Sequence, residues 1–488
     1  MNNTNLKHKA VSSAVWTSFQ KYTQMGVNFI SGIILARLLT PFDYGCIGML
    51  SIFMVLAEAF IDGGFGAALI QKKRPTQEDY STIFFWNIFM AILMYIVLFF
   101  SAPAISRFYN IPLLRDVLRV QGVILFIYAF NIIQRNQLRK TLNFKLIAIV
   151  SVITSVITLG VTIFLAYKGF GVWSLVVCNI IHAAIPAVVF WFSLKWRPIL
   201  AFSKESFKEL FGFGFYMFLT HLINTFSQQL QGLLIGKVYN ASTLGYYSKA
   251  HGTEKIASQS VSSVMTQITY PLYSLVQDDL VAMSNMIKRI TSTIAYFTFP
   301  VMYILILTAT PLFSLLYSDR WLPSVPYFQV LCLAGLVNCL MAVNLQPISA
   351  IGKSKVMFSW TIVKRVVGIG AVVVGLMLWG MKGLLLGVLI NSYFAYFINI
   401  LLVSKYIGYK WQRQISDLLP VGVASTVIAG ICYLVGYFLQ LNMYLDGVVK
   451  IVLYVVLYLG WSFIFKPESY QYSLTVIPAK FRFWEKKK

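Results

Sequence analysis

Residues 81–101 read Ser-Thr-Ile-Phe-Phe-Trp-Asn-Ile-Phe-Met-Ala-Ile-Leu-Met-Tyr-Ile-Val-Leu-Phe-Phe-Ser, without one charged side chain. An apolar run of about 20 residues is long enough to cross the hydrocarbon core of a bilayer as an α-helix. In lipid every backbone polar group must be paired within the protein, and the run lacks the two-residue alternation of barrel strands. The stretch therefore predicts a membrane-spanning helix.

The composition of the whole chain also indicates a membrane protein. Hydrophobic residues make up 58% of the 488 residues and charged residues only 11%, whereas soluble domains carry about a quarter charged residues. This balance excludes a soluble enzyme. The net charge of +24 would suggest nucleic acid in a soluble protein, but here the basic residues sit in short clusters between apolar runs. That placement indicates anionic lipid headgroups and no nucleic acid partner.

The apolar runs predict an all-α integral membrane protein with about fourteen transmembrane helices. The first predicted span is the least hydrophobic, since it contains Gln20, Lys21 and Gln24, and we expect it to line a lumen. The predicted spans lie near 11–36, 44–66, 81–101, 116–137, 146–167, 171–192, 211–235, 245–272, 290–315, 325–350, 356–379, 383–404, 417–439 and 444–465.

The distribution of lysine and arginine predicts the orientation. Most of the 40 basic residues fall in segments that are cytoplasmic if the N-terminus is inside, so both termini are expected in the cytoplasm. Residues 1–9 are polar and basic, and we expect no cleaved signal peptide. The five cysteines lie in apolar segments without paired spacing, which is typical of small core residues rather than of disulfides or metal ligands.

An internal repeat predicts two related halves. The stretch Gly32-Ile33-Ile34-Leu35-Ala36-Arg37 aligns without gaps on Gly232-Leu233-Leu234-Ile235-Gly236-Lys237, and Tyr44-Gly45 aligns on Leu244-Gly245 at the same offset. Collinear matches of this kind indicate duplication. The chain is therefore predicted to form two pseudo-symmetric six-helix lobes, at 1–200 and 201–410, followed by a helix pair and basic tail at 411–488.

Five short motifs, in this order and spacing, resemble the Wzx-like oligosaccharide flippases of the multidrug/oligosaccharidyl-lipid/polysaccharide exporter superfamily. They are Arg37-Leu38-Leu39-Thr40-Pro41-Phe42-Asp43-Tyr44-Gly45, Asp62-Gly63-Gly64-Phe65-Gly66, Thr76…Glu78-Asp79…Trp86-Asn87, Gly169-Phe170-Gly171-Val172-Trp173 and Leu244-Gly245-Tyr246-Tyr247-Ser248-Lys249-Ala250. The resemblance implies two lobes around a central cavity. It also implies transfer of an undecaprenyl-pyrophosphate-linked repeat unit across a bacterial inner membrane for surface polysaccharide synthesis. Most of these motifs also have a structural interpretation as turns and close helix contacts.

Ionisable residues inside predicted spans are candidates for function because each is costly in lipid. Lys21 and Glu58 are expected to meet between the first two helices, either as an ion pair that orients them or as a gate. Lys255, Lys364 and Arg365 lie in later spans, and with Lys21 they predict a cation-rich cavity for a pyrophosphate or acidic sugars.

Polar rows on two predicted helices are further candidates for substrate binding. His221 is the repeat counterpart of Lys21, and Gln24 corresponds to Asn224. Such side chains suit sugar hydroxyls, and they equally suit hydrogen bonds between helices. Glu58 and Asp62 share one helix face and are candidates for coupling or gating with H⁺ or Na⁺, although Asp62 also suits an ion pair with Lys72 or Lys73.

We expect no resident cofactor, metal ion or catalytic residue, since no nucleophile motif or metal-spaced cluster occurs. A lipid II flippase and a multidrug exporter of the same superfamily remain alternatives. An exporter would be expected to place a carboxylate in the first span, where this chain has Lys21. A membrane polysaccharide polymerase is a further alternative, but it would be expected to carry a long outer loop with catalytic Arg or His.

Overall fold

The computed structural model of the protein describes residues 3–276 and 278–476. Within these ranges every regular element is a helix, and the predicted all-α class is confirmed. Contacts divide the chain into two compact units, Met1–Ser248 and Lys249–Lys488. The predicted boundaries at 200 and 410 stay predictions, and the predicted basic tail after residue 476 lies outside the described residues.

The first unit begins with a long helix and continues through helices of membrane-spanning length joined by short turns. Its helices are α1 Asn3–Leu38, α2 Pro41–Asp62, α3 Phe65–Gln71, α4 Gln77–Tyr109, α5 Leu113–Gln121, α6 Ile124–Lys140, α7 Phe144–Tyr167, α8 Val172–Ser193 and α9 Lys204–Val238. Helix α10, Ala241–Leu275, begins in this unit and ends in the second.

The second unit continues with the same architecture. Its elements are α11 Leu280–Leu307, α12 Ala309–Tyr317, a 3₁₀ helix Asp319–Ser324, α13 Val325–Ala350, α14 Ser354–Ile407, α15 Trp411–Leu439, α16 Met443–Phe465 and α17 Glu468–Val476.

Ten stretches of the described chain are long and apolar enough to cross a membrane. Helices α1, α9 and α10 have 35 or 36 residues but carry more polar side chains. The protein is thus a multi-pass membrane protein, and the figure of fourteen spans stays a prediction.

Breaks in two membrane helices follow from proline and glycine. Pro311 has no backbone N–H and its ring clashes with the carbonyl of residue 307, where α11 ends, so the predicted span 290–315 is divided between α11 and α12. Within α14 the backbone leaves helical geometry at Trp379 and Gly380, whose φ of 59° favours glycine. This break separates the two spans predicted at 356–379 and 383–404.

Two of the motifs prove to be helix caps. The Thr40 side chain accepts the backbone N–H of Asp43, while the Asp43 carboxylate accepts the backbone N–H of Thr40 at 2.9 Å. Thr76 and Asp79 form the same capping box at the start of α4. Each box satisfies backbone donors that a helix start leaves unpaired, which gives these motif residues a structural role.

Helix α1 packs against α7 rather than beside α2, where we expected it. Helix α2 instead packs against α9, and the backbones of Gly64 and Gly214 meet so closely that a Cβ at Gly64 would overlap the Gly214 carbonyl. The structural interpretation of the Asp62–Gly66 motif as a close helix contact is therefore confirmed.

Candidate functional site

A polar cavity of about 450 Å³ lies within the first unit. Five helices of that unit form most of its wall, and α5 contributes its last residue. The lining residues are Gln20, Gln24, Ile47, Ser51, Met54, Val55, Glu58, Gln121, Ile124, Tyr128, Asn131, Arg135, Ile147, Ser151, Thr154, Asn179, His182, Ala183, Pro186 and Phe190. We call this space the N-unit cavity.

Several polar atoms in the wall of the N-unit cavity lack a protein partner. Among the described residues, Gln121 Oε1, Asn131 Oδ1 and Thr154 Oγ1 are buried and have no hydrogen-bond partner. An unpaired buried polar atom costs about 1–3 kcal/mol. Gln20 differs, because its amide donates to the Ser151 hydroxyl at 2.9 Å. The wall therefore presents hydrogen-bonding capacity that a polar ligand or water can use.

The cavity wall carries both signs of charge. Glu58 on α2 and Arg135 on α6 both line it, as does His182 on α8. In the part of the chain that the structure describes, neither Glu58 nor Arg135 forms an ion pair. A guanidinium and a carboxylate facing one polar space provide bidentate donors and acceptors for hydroxyl, carboxylate or phosphate groups.

The structure brings some of the predicted site residues together and separates others. Gln24 and Glu58 line the N-unit cavity together. Lys21 does not line it, and its side chain is exposed. The predicted meeting of Lys21 with Glu58 has no support in the packing, because α1 lies against α7.

Asp62 stabilises the backbone locally at the start of α3. Its carboxylate accepts the backbone N–H groups of Gly64 and Gly66, and it lies within electrostatic reach of His221 and Arg139. Lys72 instead pairs with Asp79 at 3.0 Å and with Glu209 at 2.8 Å, so the expected Asp62–Lys72 ion pair is wrong. His221 is exposed on α9, and Asn224 on the same helix is half-buried.

The predicted cations of the later spans lie in the second unit. The Lys364 ammonium donates to Asn399 Oδ1 at 2.8 Å across the two halves of α14. Arg365 is half-buried beside it, and Lys255 is exposed on α10 next to the buried Glu254. Their assignment to a substrate site stays a prediction.

Arg135 and His182 are cavity residues that sequence reasoning missed. Arg135 lies near the end of a predicted span, where a basic residue also fits a cytoplasmic position, and His182 is a lone histidine in an apolar run. The usable signal was their position inside the predicted spans 116–137 and 171–192, where an ionisable side chain is rare. Among the described residues, no group of three His, Cys, Asp or Glu side chains is placed to hold a metal ion.

A polar cavity inside a bundle of membrane-spanning helices is the architecture of a membrane transporter. Solved structures share this fold. A lipid II flippase, MurJ, in an inward closed conformation superposes with a TM-score of 0.75 at 15% identity, covering 94% of this chain and 99% of MurJ. An inward-facing multidrug resistance MATE family transporter of the MOP superfamily gives a TM-score of 0.61 at 16% identity, covering 81% and 98%.

The chain belongs to a family described as "Polysaccharide biosynthesis protein", whose model matches residues 34–326. The teichuronic acid biosynthesis protein TuaB of Bacillus subtilis is 24% identical over 72% of this chain and 73% of its own. The lipopolysaccharide biosynthesis protein WzxC of Escherichia coli is 23% identical over 85% of each chain. The succinoglycan biosynthesis transport protein ExoT of Rhizobium meliloti is 23% identical over 83% and 80%. The resemblance identified from the sequence is thereby confirmed.

Proposed function

We propose that the protein is a flippase that moves polyprenyl-pyrophosphate-linked glycan repeat units across the bacterial inner membrane for surface polysaccharide synthesis. One observation carries the proposal: a transporter fold of the polysaccharide biosynthesis family contains a polar cavity, and three buried polar atoms in its wall have no hydrogen-bond partner among the described residues. A glycan is dense in hydroxyl groups that both donate and accept hydrogen bonds, so it can satisfy amide and hydroxyl atoms of either polarity.

The proposed mechanism is alternating access, in which the glycan crosses through the protein while the lipid tail stays in the bilayer. The N-unit cavity receives sugar groups, and Lys21, Lys255, Lys364 and Arg365 are candidates for holding the pyrophosphate. Gln24, His221 and Asn224 complete the proposed substrate contacts. Both chain ends lie in the cytoplasm in this proposal, because that topology places most lysines and arginines inside.

An ion gradient is the proposed energy source, with H⁺ or Na⁺ as the coupling ion. Glu58 is the better candidate carboxylate, since it faces the N-unit cavity without an ion-pair partner among the described residues. Asp62 is a weaker candidate because backbone N–H groups already occupy its carboxylate.

A lipid II flippase is the second candidate, and the shared fold with MurJ supports it. The two functions differ in the substrate that is moved, so complementation of strains that lack one or the other flippase separates them. The polysaccharide polymerase alternative has less support. The family is described as a polysaccharide biosynthesis protein, one sequence relative is named as a transport protein, and a solved structure with this fold is a transporter.

The test is complementation of bacterial strains that lack their own oligosaccharide flippase, using several glycan backgrounds. Surface glycan and accumulated lipid-linked repeat units are measured in the same cells. We expect the wild-type chain to restore surface glycan in at least one background and to lower the accumulated intermediate. Asn131→Ala in the cavity and the double variant Lys364→Ala/Arg365→Ala are each expected to reduce this restoration.

Gln137→Ala is the matched control for Asn131→Ala, because Gln137 lies on α6 but outside the cavity lining. Membrane levels of every variant are measured by immunoblot. Failure of the folded wild-type chain in all glycan backgrounds, together with rescue of a strain depleted of its lipid II flippase, would replace the proposal with the second candidate.

A further inference from the structure

A second cavity lies at the end of the chain, within the second unit. It has a volume of about 660 Å³ and is lined by α11, α15, α16 and α17. Its lining residues are Ser292, Ser416, Asp417, Leu419, Pro420, Val423, Ala424, Val427, Trp461, Phe465, Pro467, Glu468 and Ser469. We call it the C-terminal pocket. Since α15 begins and α16 ends beside it, the pocket lies at one end of these two membrane-spanning helices.

The C-terminal pocket has one apolar part and one polar part. Val423, Val427 and Phe465 form part of the apolar wall and remain more than half exposed, so this wall opens toward the lipid-facing surface of α15 and α16. Asp417 and Glu468 stand at the polar part. An apolar wall that continues into a charged rim at a membrane-helix end matches an amphiphile whose headgroup lies at the membrane surface.

Both charged residues in the lining are carboxylates, and they share one cation. The Lys288 ammonium lies 3.3 Å from Asp417 and 2.6 Å from Glu468. Asp417 also accepts the Tyr409 hydroxyl; burial and this hydrogen bond raise the pKa of Tyr409, so it stays a donor. The Tyr472 hydroxyl donates to Glu468 at 3.4 Å. Each carboxylate has about four acceptor positions, more than these donors occupy.

The side chain of Ser469 gives independent evidence that the C-terminal pocket binds a further molecule. Its side chain lines the C-terminal pocket and is only 3% exposed, yet its hydroxyl has no hydrogen-bond partner within the described chain. A buried hydroxyl normally finds a partner, because leaving it unpaired costs about 1–3 kcal/mol. The hydroxyl and the two carboxylates therefore face a space that suits a group with several N–H donors.

We propose that the C-terminal pocket binds a phospholipid with a primary ammonium headgroup, that is, phosphatidylethanolamine. The ammonium group has three N–H donors and one positive charge, which match the carboxylates of Asp417 and Glu468 and the hydroxyl of Ser469. The acyl chains lie along Val423, Val427 and Phe465. An anionic headgroup offers these two carboxylates no positive charge, and a choline headgroup has the charge but no N–H donor. This lipid site is separate from the N-unit cavity and does not depend on which glycan is carried.

The experiment is native mass spectrometry of the full chain, released from nanodiscs made of equal parts phosphatidylethanolamine, phosphatidylcholine and phosphatidylglycerol. We expect the wild-type protein to retain phosphatidylethanolamine over each of the other two by about tenfold, since charge-assisted hydrogen bonds are the strong ones. Val423→Trp fills the pocket and should abolish this preference. Leu434→Trp is the matched control, because Leu434 is a similarly exposed residue of α15 outside the lining.

Two further variants keep the test decisive if Val423→Trp fails to fold. Ser469→Ala removes the unpaired hydroxyl and should lower phosphatidylethanolamine retention while phosphatidylcholine retention is unchanged. Glu468→Lys, at a side chain that is 61% exposed, should shift the preference toward phosphatidylglycerol. Retention of phosphatidylglycerol or phosphatidylcholine as strongly as phosphatidylethanolamine by the wild type overturns the proposal. If every variant prefers phosphatidylethanolamine as strongly as the wild type does, the proposal is also overturned, because the lipid then binds elsewhere.

Discussion

Gly45 and Gly245 pack reciprocally against each other's helices. A Cβ at Gly45 would overlap the carbonyl of Ala241 at the start of α10, and a Cβ at Gly245 would overlap the carbonyl of Pro41 at the start of α2. Gly45 and Gly245 are 200 positions apart, and so are the two contact residues, Pro41 and Ala241. The repeat detected in the sequence therefore corresponds to a local two-fold relationship between the starts of α2 and α10 within the first unit.

The first prediction concerns this crossing. Gly45→Ala and Gly245→Ala should each destabilise the protein by about 1–3 kcal/mol, because the added methyl group forces two backbones apart. Thermal unfolding in detergent measures the effect. Gly252→Ala is the control, since Gly252 lies on α10 with no atom near its missing Cβ, and alanine is the better helix former. Equal melting temperatures for Gly45→Ala and Gly252→Ala would show that the helices do not approach this closely.

The second prediction separates stability from transport in the N-unit cavity. Thr154→Val removes a buried hydroxyl that has no partner in the described chain, so the variant should be more stable by about 1 kcal/mol. Its transport should fall about three- to tenfold, because one hydrogen bond to the substrate is lost. Complementation efficiency and the melting temperature are measured on the same preparations.

Thr158→Val is the control for this prediction. Thr158 lies one turn further along α7, and its hydroxyl also lacks a partner among the described residues, but it does not line the cavity. The control should gain stability and keep full transport. If both variants lost transport equally, the N-unit cavity would not be the glycan site.

The third prediction concerns Lys364 and its partner Asn399, which is 2% exposed. Lys364→Met should destabilise the protein by about 1–3 kcal/mol, because it leaves the Asn399 amide buried without that donor. Adding Asn399→Leu should restore most of the stability, since both polar partners are then replaced by apolar groups. Transport should stay low in the double variant if Lys364 also holds the pyrophosphate. Recovery of transport together with stability would assign Lys364 a structural role alone.

The fourth prediction concerns pH and the Lys72 ion pairs between α3, α4 and α9. Burial alone would lower the pKa of Lys72, but its hydrogen bonds and ion pairs with Glu209 and Asp79 outweigh this and raise it above 10.5. When folding raises the pKa of a group, its full contribution to stability is present at pH values below the pKa of the unfolded state. This contribution is lost as the pH rises through the pKa of the folded state. Lys72→Met should therefore be less stable than wild type at pH 8.

The difference between wild type and Lys72→Met should shrink at pH 11. The midpoint of thermal unfolding, compared between the two proteins at each pH, measures this change and cancels the titration of other groups. Lys73→Met serves as the control, because Lys73 has no ion pair among the described contacts of this loop. If the difference in unfolding midpoint is the same at both pH values, Lys72 does not stabilise the protein through these ion pairs.

The sequence could predict the helices because their signals are local. An apolar run of sufficient length is a property of consecutive residues, and caps such as Thr40 with Asp43 involve partners three residues apart. The span predicted at 325–350 coincides with α13. The span predicted at 290–315 was less accurate, because α11 begins ten residues earlier and Pro311 divides the remainder.

The candidate site could be predicted only in part. Successive residues of a helix point about 100° apart, so which of Gln20, Lys21 and Gln24 faces a cavity depends on the partner of α1. That partner is α7, and the result is that Gln20 and Gln24 line the N-unit cavity while Lys21 does not. Asp62 and Glu58 share one helix face, yet the backbone N–H groups of Gly64 and Gly66 at the start of α3 bond to the Asp62 carboxylate.

By itself, the sequence determined that this is an all-helical membrane protein with an internal repeat, related to polysaccharide transport proteins. These conclusions depend on composition, periodicity and motif order, which the chain carries locally. The tertiary structure decided which polar residues line the same cavity: Glu58 with Arg135 and His182 in one, and Asp417 with Glu468 in another. Such meetings depend on helix rotation and on contacts between residues far apart in the chain, and one-dimensional patterns do not specify these.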